Sequence, residues 1–368
     1  MRITFLDGLR GWAALVVLIT HFIAAFVLQF YPNYHNPLHL FFSGHSAVYL
    51  FFMLSGFSLS SHFFLYSDFR KLLKLFIFRY FRLSIPILFS TLFTFLIISC
   101  GLIFNEENPA LAYFFKFDIS LKEVLSFSFI DSILVKKDFY SYNPALWSIP
   151  IEFYASQVIF FFLSLNLKKR GRICGYIVSF FFILFYFKAW PWMYCNFIMG
   201  VIFSDIYCKT NFFLSNKAKK IYFFLSLCSI GFFFLSRKAM FFTHDFYRFV
   251  IVTFFFLGVI SFPALQRIFS GKISSFLGRI SFSLYILHAV ILSSFSSLLF
   301  SYGKTNFSSI PMTIFFCFVM TLLFIFVISF LFSFFIEEKL ISFVKYNIFY
   351  KLADFLFNNF SKKNLHEK

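Results

Sequence analysis

The chain has 368 residues, of which 60% are hydrophobic and 13% charged, and its formal net charge is +18. A soluble domain carries about 25% charged residues, so the composition excludes an ordinary soluble protein and calls for an integral membrane one. The positive charge does not point to nucleic acid: Lys and Arg gather in the cytoplasmic loops of membrane proteins, and no basic face interleaved with stacking aromatics lies outside the apolar runs.

A membrane-crossing helix needs about 20 apolar residues. Ten stretches fit, at 11–30, 45–66, 83–104, 147–166, 173–187, 190–207, 221–236, 249–266, 280–301 and 310–336. The fifth is short, and the last is long enough to tilt or to run past the bilayer. No ten-residue alternation of an outer-membrane barrel is present, so the class is all-α: a polytopic helix bundle of about ten transmembrane helices. With the N-terminus inside, the outer segments hold Lys116, Lys122, Lys136, Lys137, Lys188, Arg237, Lys238, Arg248 and Lys304, and the rest of the 33 basic residues fall inside. That asymmetry places both termini in the cytoplasm. Residues 1–340 form one membrane domain, and 341–368 a cytoplasmic tail. The N-terminus lacks a short apolar core with a small-residue cleavage site, so the first span reads as retained.

The first span is LDGLRGWAALVVLITHF. Arg10 and His21 are eleven residues apart, close to three helical turns, so they share a face and lie about 16 Å apart along the axis. Asp7 is placed to pair with Arg10. Taken alone, Arg10 also reads as an interfacial charge and His21 as a buried hydrogen-bonding residue. An ionisable group at the bilayer centre costs about 2.5–3.5 kcal/mol on insertion scales, so such groups usually face a cavity or a partner. In the second span, FFMLSGF puts Ser55 and Gly56 where helices approach closely; His45 reads as interfacial. The following FRKLLKLFIFRYFRLSIP sets Arg79 and Arg82 on one face, with Arg70, Lys71 and Lys74 nearby. Guanidinium forks suit phosphate, and a positive-inside loop explains the same charges.

The long outer loop, about 105–146, has room for a short amphipathic helix around Ile119–Phe129. It ends in NPALWSIPIEFYAS. Ser148 is positioned to cap the next helix, Pro150 falls in its first turn, and Glu152 points inward within a turn of the outer boundary. Trp147 equally fits an aromatic belt. The six cysteines, Cys100, Cys174, Cys195, Cys208, Cys228 and Cys317, form no C-x-x-C pair and read as small hydrophobes with neither a metal site nor a disulfide framework. In LGRISFSLYILHAVIL, Ser281, Tyr285 and His288 fall at i, i+4 and i+7 and make one polar stripe. At the end of the last span, adjacent Glu337 and Glu338 point in different directions, one to the bundle and one to water.

In this order, the motifs resemble the membrane acyltransferase-3 family in its stand-alone form. The matching pieces are Arg10 and His21 in an Arg-x10-His first span, FFMLSGF, Arg79 and Arg82 in RYFRLSIP, WSIPIEFY, FIMGVIF with Gly200, SFSLYILH, and a closing glutamate matched by Glu337. Tyr49 stands where the family often has an acid, and no proline follows Glu337. The resemblance implies an O-acyltransferase that moves an acyl group, commonly acetyl, from cytoplasmic acyl-CoA to a hydroxyl of a surface carbohydrate or lipid-linked glycan. It implies a multi-pass protein of the bacterial cytoplasmic (inner) membrane. It implies no cofactor or metal; acyl-CoA is the donor substrate. His21, with Arg10 and Glu337, is then the catalytic group, and Arg79 and Arg82 take the CoA phosphates. Glu152, Trp147, Ser281, Tyr285 and His288 line the acceptor path. A neutral His21 serves either as general base on the acceptor or as the nucleophile that takes the acyl group. Whether a separate extracytoplasmic acyltransferase takes the acyl group onward stays open. The reading from a different class is a glycan or lipid transporter or flippase, against which stands the lack of inverted repeats or paired broken helices.

Overall fold

The structure, a computed structural model, describes residues 3–32, 43–106, 108–117, 119–135, 142–187, 191–209, 220, 221, 224 and 244–351. Every regular element among them is helical. In chain order these are α1 (Thr4–Phe22), α2 (Gly44–Tyr66), α3 (Phe69–Ser99), α4 (Leu121–Ser126), α5 (Ile149–Ser164), α6 (Lys169–Tyr186), α7 (Pro191–Lys209), α8 (His244–Ser261), α9 (Pro263–Phe269), α10 (Lys272–Ile291), α11 (Ser297–Asn306) and α12 (Ile310–Phe332). Single π-helical stretches extend α1 to Val27, join α10 to α11, and carry α12 onward.

Local chemistry sets the boundaries. Ser43 opens α2 by accepting from Ser46 N at 3.2 Å, and Ser67 closes it in the left-handed region at φ 49°. Asp68 caps α3 by accepting from Lys71 N at 3.0 Å. At 1.5 Å per residue, α3 is about 46 Å long, longer than the ~30 Å apolar core of a bilayer. Its first turns, with Arg79 and Arg82 beyond them, therefore have room to enter from the surface. Pro263 forces Phe262 into an extended conformation and bends α8 against α9 by 99°.

Helices cover nine of the ten expected spans; the seventh, 221–236, lies outside the described residues except for isolated positions. Among the described residues, six helical segments are long and apolar enough to cross a bilayer, or seven if the bent α8–α9 pair counts as one. The expectation of about ten is thus larger than the number that meets this measure. Two expected spans, α6 and α7, exist as helices, but α6 begins with Lys169, Arg170 and Arg172, and α7 contains Asn196, Asp205 and Lys209. Their polar residues take part in packing: Asp205 joins Arg172 at 2.8 Å and Tyr176 at 3.1 Å. The last helix runs on well past Phe332, as its length predicts, and its outward side is apolar, with Phe315, Leu323 and Val327 exposed. The protein is an integral multi-pass membrane protein.

Two glycine contacts bring the central helices together. A Cβ on Gly200 of α7 would lie 2.1 Å from Met53 O of α2, and one on Gly11 of α1 would lie 2.3 Å from Leu277 C of α10. Only a residue without a side chain allows backbones this close. The α1–α10 contact aligns the two helices along their length. It fixes which side chains meet further up the pair.

Candidate active site

Two polar layers lie along α1. The first is near its start. Arg10 Nη1 donates to Asp7 Oδ1 at 3.3 Å, and its Nη2 donates to Leu54 O at 3.3 Å and to Ser58 Oγ at 2.6 Å. Arg79, buried, donates to Glu152 Oε1, which also accepts from Ser55 Oγ at 2.9 Å. Arg82 is exposed and has no hydrogen bond among the described residues, yet it lies within electrostatic reach of Arg79, Arg10, Glu337 and Glu152. Glu337 accepts from Ser283 Oγ and makes no ion pair among the described residues. Six ionisable side chains from α1, α3, α5 and the α12 extension, Asp7 included, thus meet in one region. The Arg10 and Arg79 guanidiniums are held; that of Arg82 is presented.

The second layer lies about 16 Å along α1. The His21 and His288 rings stack at 5.1 Å with 30° between planes. His288 Nδ1 is 2.6 Å from Tyr285 O. A carbonyl only accepts, so neutral His288 carries its proton on Nδ1 and keeps a lone pair on Nε2. Tyr285 OH donates to Ala145 O at 2.7 Å. Its single proton is then used, so Ser148 Oγ, 2.9 Å away, is the donor in their contact. His21 sits deep among the surrounding helices but is solvent-accessible, and has no hydrogen bond among the described residues. His45 lies within electrostatic reach of His21 and 6.4 Å, ring to ring, from Trp147. An accessible imidazole with no hydrogen bond among the described residues, stacked on a second of fixed tautomer, is equipped to accept a proton or to attack a carbonyl.

Several expectations from the sequence meet a different geometry. Ser148 does not cap α5: residues Pro144–Ser148 already form a 3-10 turn that runs into the helix, and the Ser148 hydroxyl turns to Tyr285. Asn143 does the capping, accepting from Ala145 N at 3.1 Å, while its Nδ2 donates to Ile286 O at 2.6 Å. That anchor draws the segment before α5 into the bundle. Glu152 consequently lies in the arginine layer with Arg79 rather than beside the histidines. Of the Ser281–Tyr285–His288 stripe, Tyr285 and His288 pack together with ring centroids 5.9 Å apart, but Ser281 bonds back to Gly278 O at 3.0 Å. Between the adjacent glutamates the structure distinguishes clearly: Glu337 turns to Ser283, and Glu338 forms a two-bond pair with Arg279 at the surface, one bond at 2.7 Å.

Some site residues are not among the sequence candidates. Ser58 and Ser283 are ordinary serines with no local signal. Asn143 had one, since Asn-Pro initiates turns. Ser55 draws notice for close helix packing, whereas its hydroxyl serves Glu152. Tyr49, in the place of an acid, is fully buried within electrostatic reach of Asp245 and Arg248, so α8 supplies a carboxylate beside it.

Compared with known families, residues 3–334 match the model described as an acyltransferase domain, Acyl_transf_3, over nearly the whole chain. No curated protein and no solved structure gives a match.

Proposed function

The chain belongs to the membrane acyltransferase-3 family, and from that premise we propose that it is an O-acyltransferase taking an acyl group, acetyl first, from cytoplasmic acyl-CoA to a hydroxyl of a surface carbohydrate or lipid-linked glycan. Its proposed home is the bacterial cytoplasmic membrane, with both termini inside. The observation that carries this reading is the layering of the bundle: guanidiniums from α1 and α3 meet near the start of α1, that of Arg82 exposed, and the accessible His21 imidazole lies about 16 Å from that layer along α1.

In this reading Arg82 is the leading contact for the phosphates of CoA, since a guanidinium fork matches phosphate oxygens and this one is exposed with no hydrogen bond among the described residues. Arg79, held by Glu152, braces the layer, and Arg10, held by Ser58 and Asp7, fixes α1 against α2. The thin pantetheine arm reaches along α1 to His21. There the imidazole takes the proton of the acceptor hydroxyl, and the oxygen attacks the thioester carbonyl. The C–S bond breaks, and the CoA thiolate recovers the proton. In the alternative order, His21 attacks first, the thiolate leaves, and the acyl-imidazole passes its acyl group to the hydroxyl. Both orders form one C–O ester and release one thiol. His288, with its proton directed to Tyr285 O, keeps its Nε2 lone pair for orienting the site.

The test is binding of labelled acetyl-CoA to purified protein. Arg82→Ala is expected to weaken binding about tenfold or more, as for a lost charged hydrogen bond. Equal binding by parent and variant removes the phosphate assignment.

A further inference from the structure

A second cavity lies further along α1, past the two histidines. Its volume is about 240 Å³, and α1, α11 and the loop after α3 enclose it. Phe26 is five residues beyond His21, about 7.5 Å of rise, and Ser297 is nine residues beyond His288, about 13.5 Å. Both helices point the same way, since Phe26 meets Phe300, rings tilted by 43° at 5.1 Å, further along than the His21–His288 stack. The cavity therefore lies beyond the histidine layer along both helices, on the side away from the arginines. Its roof is tied down: Phe104 N donates to Ser293 O at 3.0 Å, and Asn108 Nδ2 donates to Ala25 O at 2.9 Å.

Its lining combines aromatic faces with hydrogen-bonding groups. Phe26 and Phe300 form walls, and Gln29, Ser297, Ser301 and Glu106 bring polar atoms. Gln29 Nε2 is buried without a partner among the described residues, a donor withheld from water. Ser297 gives its proton to Leu292 O at 2.8 Å and retains acceptor capacity. Donors and acceptors around aromatic faces match a ring that carries hydroxyls on its edge and C–H bonds on its face. The neighbouring groove between α1 and α12, about 900 Å³, contrasts with it: Ile19, Phe22, Val27, Ile314 and Phe318 offer a hydrocarbon surface.

We propose that the cavity between α1, α11 and the loop after α3 is a saccharide-binding subsite that holds the acceptor's sugar ring over the His21–His288 pair. This inference rests on the acyl-transfer reading given above. It adds the place where the acceptor is recognised and the residues that recognise it.

The experiment compares parent, Gln29→Leu, Ser301→Trp and Phe315→Ala in cells and as purified protein. Surface-glycan ester content is read by mass spectrometry, and acyl-CoA binding is read with labelled acetyl-CoA. Ser301 is exposed, so its replacement by Trp fills the cavity without disturbing a core. Phe315 faces outward from the apolar groove. Gln29→Leu is expected to lower glycan esters about tenfold, in line with lost hydrogen bonds, and Ser301→Trp to remove them. Both should bind acetyl-CoA as the parent does, and Phe315→Ala should match the parent in both readouts. Glycan esters at parental level in both cavity variants overturn the subsite, as does equal loss of acetyl-CoA binding. A parent that binds acetyl-CoA but esterifies no glycan overturns the carbohydrate acceptor itself and the subsite with it; a parent that binds no acetyl-CoA overturns the donor reading.

Discussion

Arg79 and Arg82 lie one turn apart on α3, yet the structure gives them different work. Arg79 is buried against Glu152, and its Nε has no hydrogen-bond partner among the described residues. Removing one member of a buried ion pair strands the other, at a cost of about 3–5 kcal/mol. Glu152→Ala should therefore lower the melting temperature of the purified protein sharply, and the double variant Arg79→Met/Glu152→Ala should recover much of the loss. Arg82 is exposed and has no hydrogen bond among the described residues, so Arg82→Ala should melt close to the parent and show its defect in acyl-CoA affinity instead. Thermal unfolding in detergent separates the two; an Arg82→Ala variant as unstable as Glu152→Ala would make Arg82 a structural residue. The sequence shows that both arginines share a face. It does not show the Arg79–Glu152 pair, because those residues are 73 positions apart and meet only after Asn143 anchors the intervening turn to α10.

At the scale of elements, the histidine pair depends on how α1 and α10 cross. Gly11 and Gly278 set that approach: a Cβ on Gly278 would lie 2.5 Å from Asp7 O. Gly11→Ala is expected to push α1 away, costing about 1–3 kcal/mol as overpacking and lowering transfer by displacing His21. Gly171, in α6, meets nothing closer than Leu167 Cβ at 3.4 Å. Gly171→Ala should be neutral or stabilise by about 0.5–1 kcal/mol through lost chain entropy. Melting temperature and activity measured together check both; a neutral Gly11→Ala would detach the histidine geometry from this crossing. Helical periodicity made the Arg10–His21 face readable, since both residues sit on one element. Which helix faces them depends on long-range contacts made by glycines, whose lack of a side chain leaves no pattern to read. The bend at Phe262 was likewise hidden inside one apolar run, although Pro263 marks it.

At the scale of the whole molecule, acyl transfer from cytoplasmic acyl-CoA requires the arginine layer and the acceptor cavity to face opposite sides of the membrane. On a Cys100→Ser/Cys174→Ser background, which removes the exposed thiols among the described residues, Lys122→Cys should react with a membrane-impermeant maleimide added outside intact cells. Lys272→Cys should react only after the membrane is opened. The reverse pattern would invert the topology and put the arginine layer on the wrong side for cytoplasmic CoA. All-helical architecture follows directly from composition, because a bilayer admits only helices and closed barrels. The number of crossing helices is less legible, since α6 and α7 spend polar residues on packing and α8 breaks at a proline.

The central claim is that acyl transfer passes through His21. It is tested most directly by supplying labelled acetyl-CoA to the N-terminal face of proteoliposomes that hold the acceptor glycan, with parent protein or with His21→Ala. A lost general base costs about 10²–10⁴-fold in rate, and a lost acyl carrier costs at least as much. Label is expected on the glycan with the parent, and a fall of that size with a His21→Ala variant that still melts cooperatively and binds acetyl-CoA. Transfer by that variant at the parental rate would contradict it.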